Sequence, residues 1–205
     1  MSHSLNIAVV VLAAGQSSRM GKIKQLLPWK DSFLLQHALR TVKEVDPDQL
    51  VLVLGANSDK IRPMLHFDDE TYDVIENPTW EKGLGNSISI GVGHVLSTNH
   101  AVDGILICLG DQPLITSVYL QRLIDQFKTK KYSIIASSYT NRVGVPAIFN
   151  RSICHELVQL NSDTGAKDIL LAYKDDILRL DAQELLEDID TPEEYEKLYQ
   201  RFHNT

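Results

Sequence analysis

Val11-Leu12-Ala13-Ala14-Gly15-Gln16-Ser17-Ser18-Arg19-Met20-Gly21-Lys22-Ile23-Lys24 stands directly behind an apolar run that begins at Ile7. A buried strand here empties into a loop of small residues that carries Arg19, Lys22 and Lys24. Small side chains let backbone N–H groups approach a polyanion closely, and Arg19 and Lys24 can neutralise its charge. Open α/β sheets bind phosphates at such a place, the carboxyl end of a parallel strand. Taken alone, the segment also fits an ordinary tight turn with a solvated basic rim.

On either side of that loop, short apolar runs alternate with helix-period stretches, the pattern of an α/β chain with a mostly parallel sheet covered by helices on both faces. Strands are predicted at Ile7–Leu12, Leu50–Leu54, Asp73–Ile75, Gly104–Leu109, Ser133–Ser137, Ala147–Phe149 and Ile177–Leu180. Leu35, Ala38, Leu39, Val42 and Val45 recur at helical spacing, as do Leu120, Leu123, Ile124 and Phe127. A short helix fits Ile61–Leu65, and Thr191-Pro192-Glu193-Glu194 starts another, which buries Tyr195, Leu198 and Phe202. The 205 residues suit one domain spanning 1–205, with no linker. Asp68-Asp69-Glu70, Lys128 to Lys131 and Asn141 to Gly144 read as solvated loop or turn.

A net charge of −7 argues against nucleic acid as a partner and sets off the basic opening loop as a local positive region. No run approaches the ~20 apolar residues that span a bilayer, and the apolar Leu5–Ala14 stretch lacks a basic leader, so the expected location is cytoplasmic, without a membrane. Cys108 lies in an apolar run and reads as a core thiol; with Cys154 it makes no disulfide framework. No His or Cys cluster suggests zinc, and there is no Gly-x-x-x-x-Gly-Lys-Ser/Thr loop.

Asp111 follows the predicted strand Gly104–Leu109 within Gly110-Asp111-Gln112-Pro113, which places its carboxylate at the rim of the first loop. A carboxylate beside a triphosphate suits Mg²⁺; the alternative is a turn or a helix cap. Asp190, in Asp188-Ile189-Asp190-Thr191-Pro192, is a candidate second metal carboxylate or simply an acidic helix entry. Gly83-Leu84-Gly85-Asn86-Ser87 opens a helix-period stretch to Leu96. It only superficially resembles a dinucleotide fingerprint, because Ile88 takes the third glycine position and no apolar strand precedes it. Gly83 and Ser87 suit a loop that presents N–H groups and a hydroxyl to a base, a ribose or a second substrate, or a plain glycine turn. Gly144-Val145-Pro146 and Asp163-Thr164-Gly165 are read as loops that receive a second substrate, with a helix N-cap as the alternative for Asp163.

In order along the chain, Leu12-Ala13-Ala14-Gly15, Arg19-Met20-Gly21, Lys24-Gln25-Leu26-Leu27-Pro28-Trp29, Gly83-x-Gly85-x-Ser87, Leu109 to Pro113, Gly144-x-Pro146, Asp163-x-Gly165-Ala166 and Asp190-Thr191-Pro192 resemble the MobA-like nucleotidyltransferases, nearest the molybdenum cofactor cytidylyltransferase branch. The resemblance implies a single Rossmann-like three-layer domain that moves CMP from CTP, or another NMP from its NTP, to a phosphorylated acceptor, with Mg²⁺ and release of pyrophosphate. It implies that Leu12, Ala13, Ala14, Gly15, Gly83 and Ser87 hold the nucleotide, that Arg19 and Lys24 hold its phosphates, and that Asp111 and Asp190 hold the metal. Lys24, Arg19 and Asp111 would carry the catalysis, while Gly144, Pro146, Asp163 and Gly165 would border the acceptor, with the molybdenum cofactor expected there and a molybdenum hydroxylase as a further partner. Alternatives are a sugar- or polyol-phosphate nucleotidyltransferase and a non-catalytic cofactor carrier. Ser162 and Lys167 depart from the commoner glycine and arginine of the family, which bears on the acceptor more than on the reaction.

Overall fold

A computed structural model of the chain describes residues 5–65, 72–139, 142–187 and 189–203. β1 (Ile7–Ala13) is buried along its whole length. Val9, Val11 and Ala13 pack into one apolar cluster and Val10 and Leu12 into another, which is why an unbroken apolar run makes a central strand. The small hairpin β2 (Pro28–Trp29) and β3 (Ser32–Phe33) leads into α1 (Leu34–Lys43) and then β4 (Gln49–Leu54). After these come α2 (Ser58–Ile61), β5 (Asp73–Glu76), α3 (Leu84–Thr98), β6 (Gly104–Leu109) and α4 (Ser117–Lys128). The remainder is β7 (Ile134–Tyr139), β8 (Arg142–Asn150), α5 (Cys154–Leu157), α6 (Lys167–Ala172), β9 (Ile177–Asp181) and α7 (Pro192–His203).

The main sheet runs β5-β4-β1-β6-β8-β7-β9. It is parallel except at β8, which is antiparallel to both neighbours. Leu35 and Leu39 of α1 and Leu120, Leu123 and Phe127 of α4 cover one face. Ile88 and Val92 of α3, Leu157 of α5 and Ile169 of α6 cover the other. The result is the single-domain three-layer α/β sandwich expected, with a mostly parallel sheet.

Register brings the strand ends that matter to one level. Leu12 pairs with Val53 and with Leu109, so β1, β4 and β6 finish together at one rim. A third cluster binds the end of the chain to that rim: Met20, Trp29 and Leu34 pack with Ile189 and with Leu198 of α7, while the Tyr195 hydroxyl donates to the Pro28 carbonyl at 2.8 Å. Burying an apolar α7 face here is what brings Asp190 across the molecule.

Several local expectations change. Gly144, Val145 and Pro146 are strand rather than loop: the predicted Ala147–Phe149 strand is the far half of the nine-residue β8. Between the pairs Ser137↔Gly144 and Ala136↔Ala147, Val145 and Pro146 are extra residues of a bulge, where a proline costs no ladder hydrogen bond. The Ile61–Leu65 helix is instead the end of α2 followed by a 3-10 turn at Arg62–Met64. Neither aspartate considered as a cap is one: Thr116 caps α4, accepting from Tyr119 N–H, and Ala166 stands before α6. Phe202 remains 43% exposed because it lies at the margin of the third cluster, its ring 6.2 Å from that of Trp29. Asp68 to Glu70, Asn141 and Asp188 lie outside the described residues. Among those described, no helix is long and apolar enough to cross a membrane.

Candidate functional site

Where β1 and β6 end, a cavity of about 390 Å³ opens between the Leu12–Gly15 loop, the start of α3 and the residue after β6. Lys24 is its electrostatic centre. Its side chain is only 13% exposed, and Nζ forms an ion pair with Asp111, meets Asp190 Oδ1 at 3.2 Å and donates to the Ile189 carbonyl at 3.3 Å. Burial pushes the Lys24 pKa down, but the two carboxylates outweigh burial and hold it above the ordinary lysine value. Asp190 reaches this point from the far end of the chain. Its other oxygen accepts from Arg19 Nη2 at 2.8 Å. Burial pushes the Asp190 pKa up, yet Lys24 and Arg19 together hold it below the ordinary carboxylate value. Thus Arg19, Lys24, Asp111 and Asp190, from three distant stretches, share one rim.

Leu12, Ala13, Ala14, Gly15, Gly83 and Ser87 also line this cavity. Asn77, fully buried, donates through Nδ2 to Ser87 Oγ at 3.0 Å and accepts from Thr79 N–H at 2.9 Å. It therefore orients the hydroxyl at the start of α3. Gly83 has φ +98°, and a Cβ there would fall 2.6 Å from Asp163 Cα. Only glycine fits, and its absence of a side chain seats the Asp163 loop against the cleft; Gly85 N–H donates to Ser162 O at 2.7 Å in the same contact.

A second cavity, about 660 Å³, adjoins the first across a shared wall of Leu12 and Leu84. Gly144 and Thr164 line it, with apolar surface from Ile88, Val145 and Leu170. Four cations stand around it: Arg142, Lys167, Lys174 and Arg179. Pro146 is buried behind this wall, its carbonyl accepting from Ser137 Oγ at 2.6 Å, while Asp163 and Gly165 border the junction with α3.

Gln25, Asn77, Trp80 and three of the cations around the second cavity, Arg142, Lys174 and Arg179, were not singled out by sequence; Lys167 was. Gln25 and Asn77 look like ordinary surface polar residues, and only their burial reveals them. Cys108 and Cys154 are buried, which pushes both thiols up to about 12 and leaves neither as a nucleophile at neutral pH. Among the described residues no group of three or more His, Cys, Asp or Glu forms a metal cluster. The residues at the rim nevertheless fit one hard cation. Asp111 and Asp190 face the same point, and buried Asp111 Oδ1 has no hydrogen-bond partner, which suits an ion that takes two carboxylates and draws its other ligands from phosphate and water.

A mostly parallel seven-stranded sheet covered by helices on both faces, with a small-residue loop and a cluster of lysine, arginine and aspartates at one rim, is the architecture of nucleotidyltransferases with the nucleotide-sugar transferase fold. Within that class the chain belongs to the MobA-like NTP transferase domain family, whose model matches residues 9–177. The purine catabolism protein PucB of Bacillus subtilis is 32% identical over 196 residues, covering 91% of this chain and 93% of PucB. Nicotine blue oxidoreductase of Paenarthrobacter nicotinovorans is 28% identical over 92% of this chain and 94% of its own. The molybdenum cofactor cytidylyltransferase of Escherichia coli is 23% identical over 96% and 97% respectively. In three dimensions the crystal structure of Rv0371c from Mycobacterium tuberculosis matches with a TM-score of 0.82 and 30% identity, covering 96% of this chain and 98% of that one. The crystal structure of Rv0371c in complex with manganese matches with a TM-score of 0.77 and 28% identity.

Proposed function

We propose that this chain transfers CMP from CTP to a phosphorylated small molecule, with the molybdenum cofactor as the acceptor and Mg²⁺ at Asp111 and Asp190. The observation that carries this is Lys24, nearly buried beside the end of β1 and gripped by two carboxylates, Asp111 from mid-chain and Asp190 from just before α7. In this arrangement the Leu12–Gly15 loop receives the nucleotide, with Gly83 and Ser87 at the other wall. Lys24 faces the α-phosphate, where negative charge grows, and the planar fork of the mostly exposed Arg19 suits the departing pyrophosphate. Bound Mg²⁺ supplies charge neutralisation at phosphate oxygens.

The acceptor phosphate is already anionic near neutral pH, so one of its oxygens bonds to the α-phosphorus without a side-chain base. The bond from that phosphorus to the oxygen bridging the β-phosphate breaks, and pyrophosphate leaves with the electron pair. What remains for the protein is alignment and charge balance. The second cavity suits the acceptor because it touches the first at Leu12 and Leu84, is partly apolar and is ringed with cations. A molybdenum hydroxylase is the proposed recipient of the product.

The test is pyrophosphate release from each of four NTPs against molybdopterin-type and sugar- or polyol-phosphate acceptors. Release that requires CTP, the molybdenum cofactor and a divalent cation is expected. Release with a polyol phosphate instead would move the acceptor assignment, and no release under any combination would favour a carrier.

A further inference from the structure

A backbone cradle for an anion needs its N–H groups outward and its carbonyls turned away, because each carbonyl oxygen carries partial negative charge. Four successive carbonyls of the first loop are turned into the protein. Leu12 O accepts from Gly110 N–H at 2.9 Å and Ala14 O from Ala56 N–H at 3.1 Å. The other two, Ala13 O and Gly15 O, both accept from one side-chain amide, Gln25 Nε2, at 3.1 and 3.0 Å. Among the described residues the Gly15 and Gln16 N–H groups have no internal acceptor. The first pair of bonds can be made by any sequence, but the second pair depends on a single residue that is 2% exposed.

The amide's oxygen is engaged as well. Gln25 Oε1 accepts from Ser17 Oγ at 3.2 Å, and Ser17 Oγ in turn accepts from Lys24 N–H at 3.3 Å. One side chain thereby fixes both the loop that would meet the phosphates and the backbone of the lysine that would neutralise them. Its neighbours also explain why glutamine is required: two donors point at carbonyls and one acceptor at a hydroxyl, a set that neither glutamate nor an apolar residue of the same length reproduces. Resting on the assignment of this cleft to a nucleoside triphosphate, we infer that Gln25 is a positioning residue for nucleotide binding, holding two carbonyls away from the phosphates and the Gly15–Ser17 turn in its anion-receiving form.

Equilibrium binding of CTP with Mg²⁺, measured calorimetrically, tests this without any acceptor. Gln25→Glu keeps the shape but faces carbonyl oxygens with a carboxylate, and should weaken CTP at least about tenfold at pH 8. At pH 5.5 the gap to the parent protein should narrow, since a protonated carboxyl can again donate to one carbonyl; taking the ratio cancels the nucleotide's own titration. Ser17→Ala, on the partly exposed turn, should weaken CTP about threefold without unfolding the chain. Gln25→Glu binding CTP like the parent, or weakened equally at both pH values, would reduce Gln25 to a packing role. If that variant does not fold, Ser17→Ala decides, and unchanged affinity there overturns the inference. A parent protein that binds no NTP at all removes the nucleotide assignment itself, and this inference with it.

Discussion

Arg19 and Asp190, 171 positions apart in the chain, meet through an Nη2–Oδ2 contact of 2.8 Å. Neither belongs to the sheet. Arg19 lies in the 3-10 turn after the first loop, and Asp190 precedes α7, where Glu194 Oε2 accepts from the N–H groups of Asp190 and Thr191. The pair therefore exists only because α7 docks on the Trp29 hairpin.

For Asp190, held below its ordinary pKa mainly by Lys24 and then Arg19 against a burial effect of opposite sign, the stabilising contribution is present above the unfolded value of about 3.9. It is lost as pH falls through the lower folded value. Lys24 has the opposite behaviour: its pKa is raised, so its contribution is present below about 10.4 and lost as pH rises through the higher folded value. The Tm difference between the parent and Asp190→Asn should accordingly stay level from about pH 5 to 9 and shrink below about pH 4. A sharp change near pH 7 would show that another group controls the cluster.

Lys24→Met should lower kcat/KM by at least ~10², the usual scale for losing an electrostatic stabiliser. It should also strengthen Mn²⁺ binding to the nucleotide-free protein about tenfold, because Lys24 now neutralises both carboxylates a cation would use. Electron paramagnetic resonance of free Mn²⁺ reads this directly. Unchanged Mn²⁺ affinity would separate the metal from Asp111 and Asp190.

Gly83→Ala places a Cβ 2.6 Å from Asp163 Cα at a φ of +98°. A cost of about 1–3 kcal/mol is expected, visible as a lower midpoint in urea. The loop that must retreat lines the second cavity through Thr164, so KM for the acceptor should rise as well.

Lys174→Gln with Arg179→Gln removes two of the four cations around the second cavity, neither of which enters an ion pair among the described residues. The KM for a phosphorylated acceptor should rise about tenfold and weaken further with salt, while the KM for CTP should not change. Equal effects on both substrates would place the acceptor elsewhere.

Much of the sheet is legible from local pattern. The Gly104–Leu109 strand appears with the predicted ends, and every other predicted run except that of β8 differs by only a residue or two at either end; the central strands are clearest because a strand buried on both faces must be apolar throughout. β8 was underestimated because Gly144 and Pro146 suggest a turn, whereas a bulge accommodates them inside the strand. The hairpin of β2 and β3, two residues each, carries too little periodicity to register.

The order of residues along this chain settled the alternation of strands and helices, the small-residue loop after β1 and the chemical types available at each strand end. These follow from burial and backbone freedom, which act over a few neighbouring positions. Folding in three dimensions alone decided that Lys24 lies between Asp111 and Asp190, that Gln25 turns inward to two carbonyls, and that α6, β8 and β9 surround one cavity with cations. Such meetings depend on strand register and on where α7 finds its apolar partner, quantities set by the whole packed core and written in no single segment.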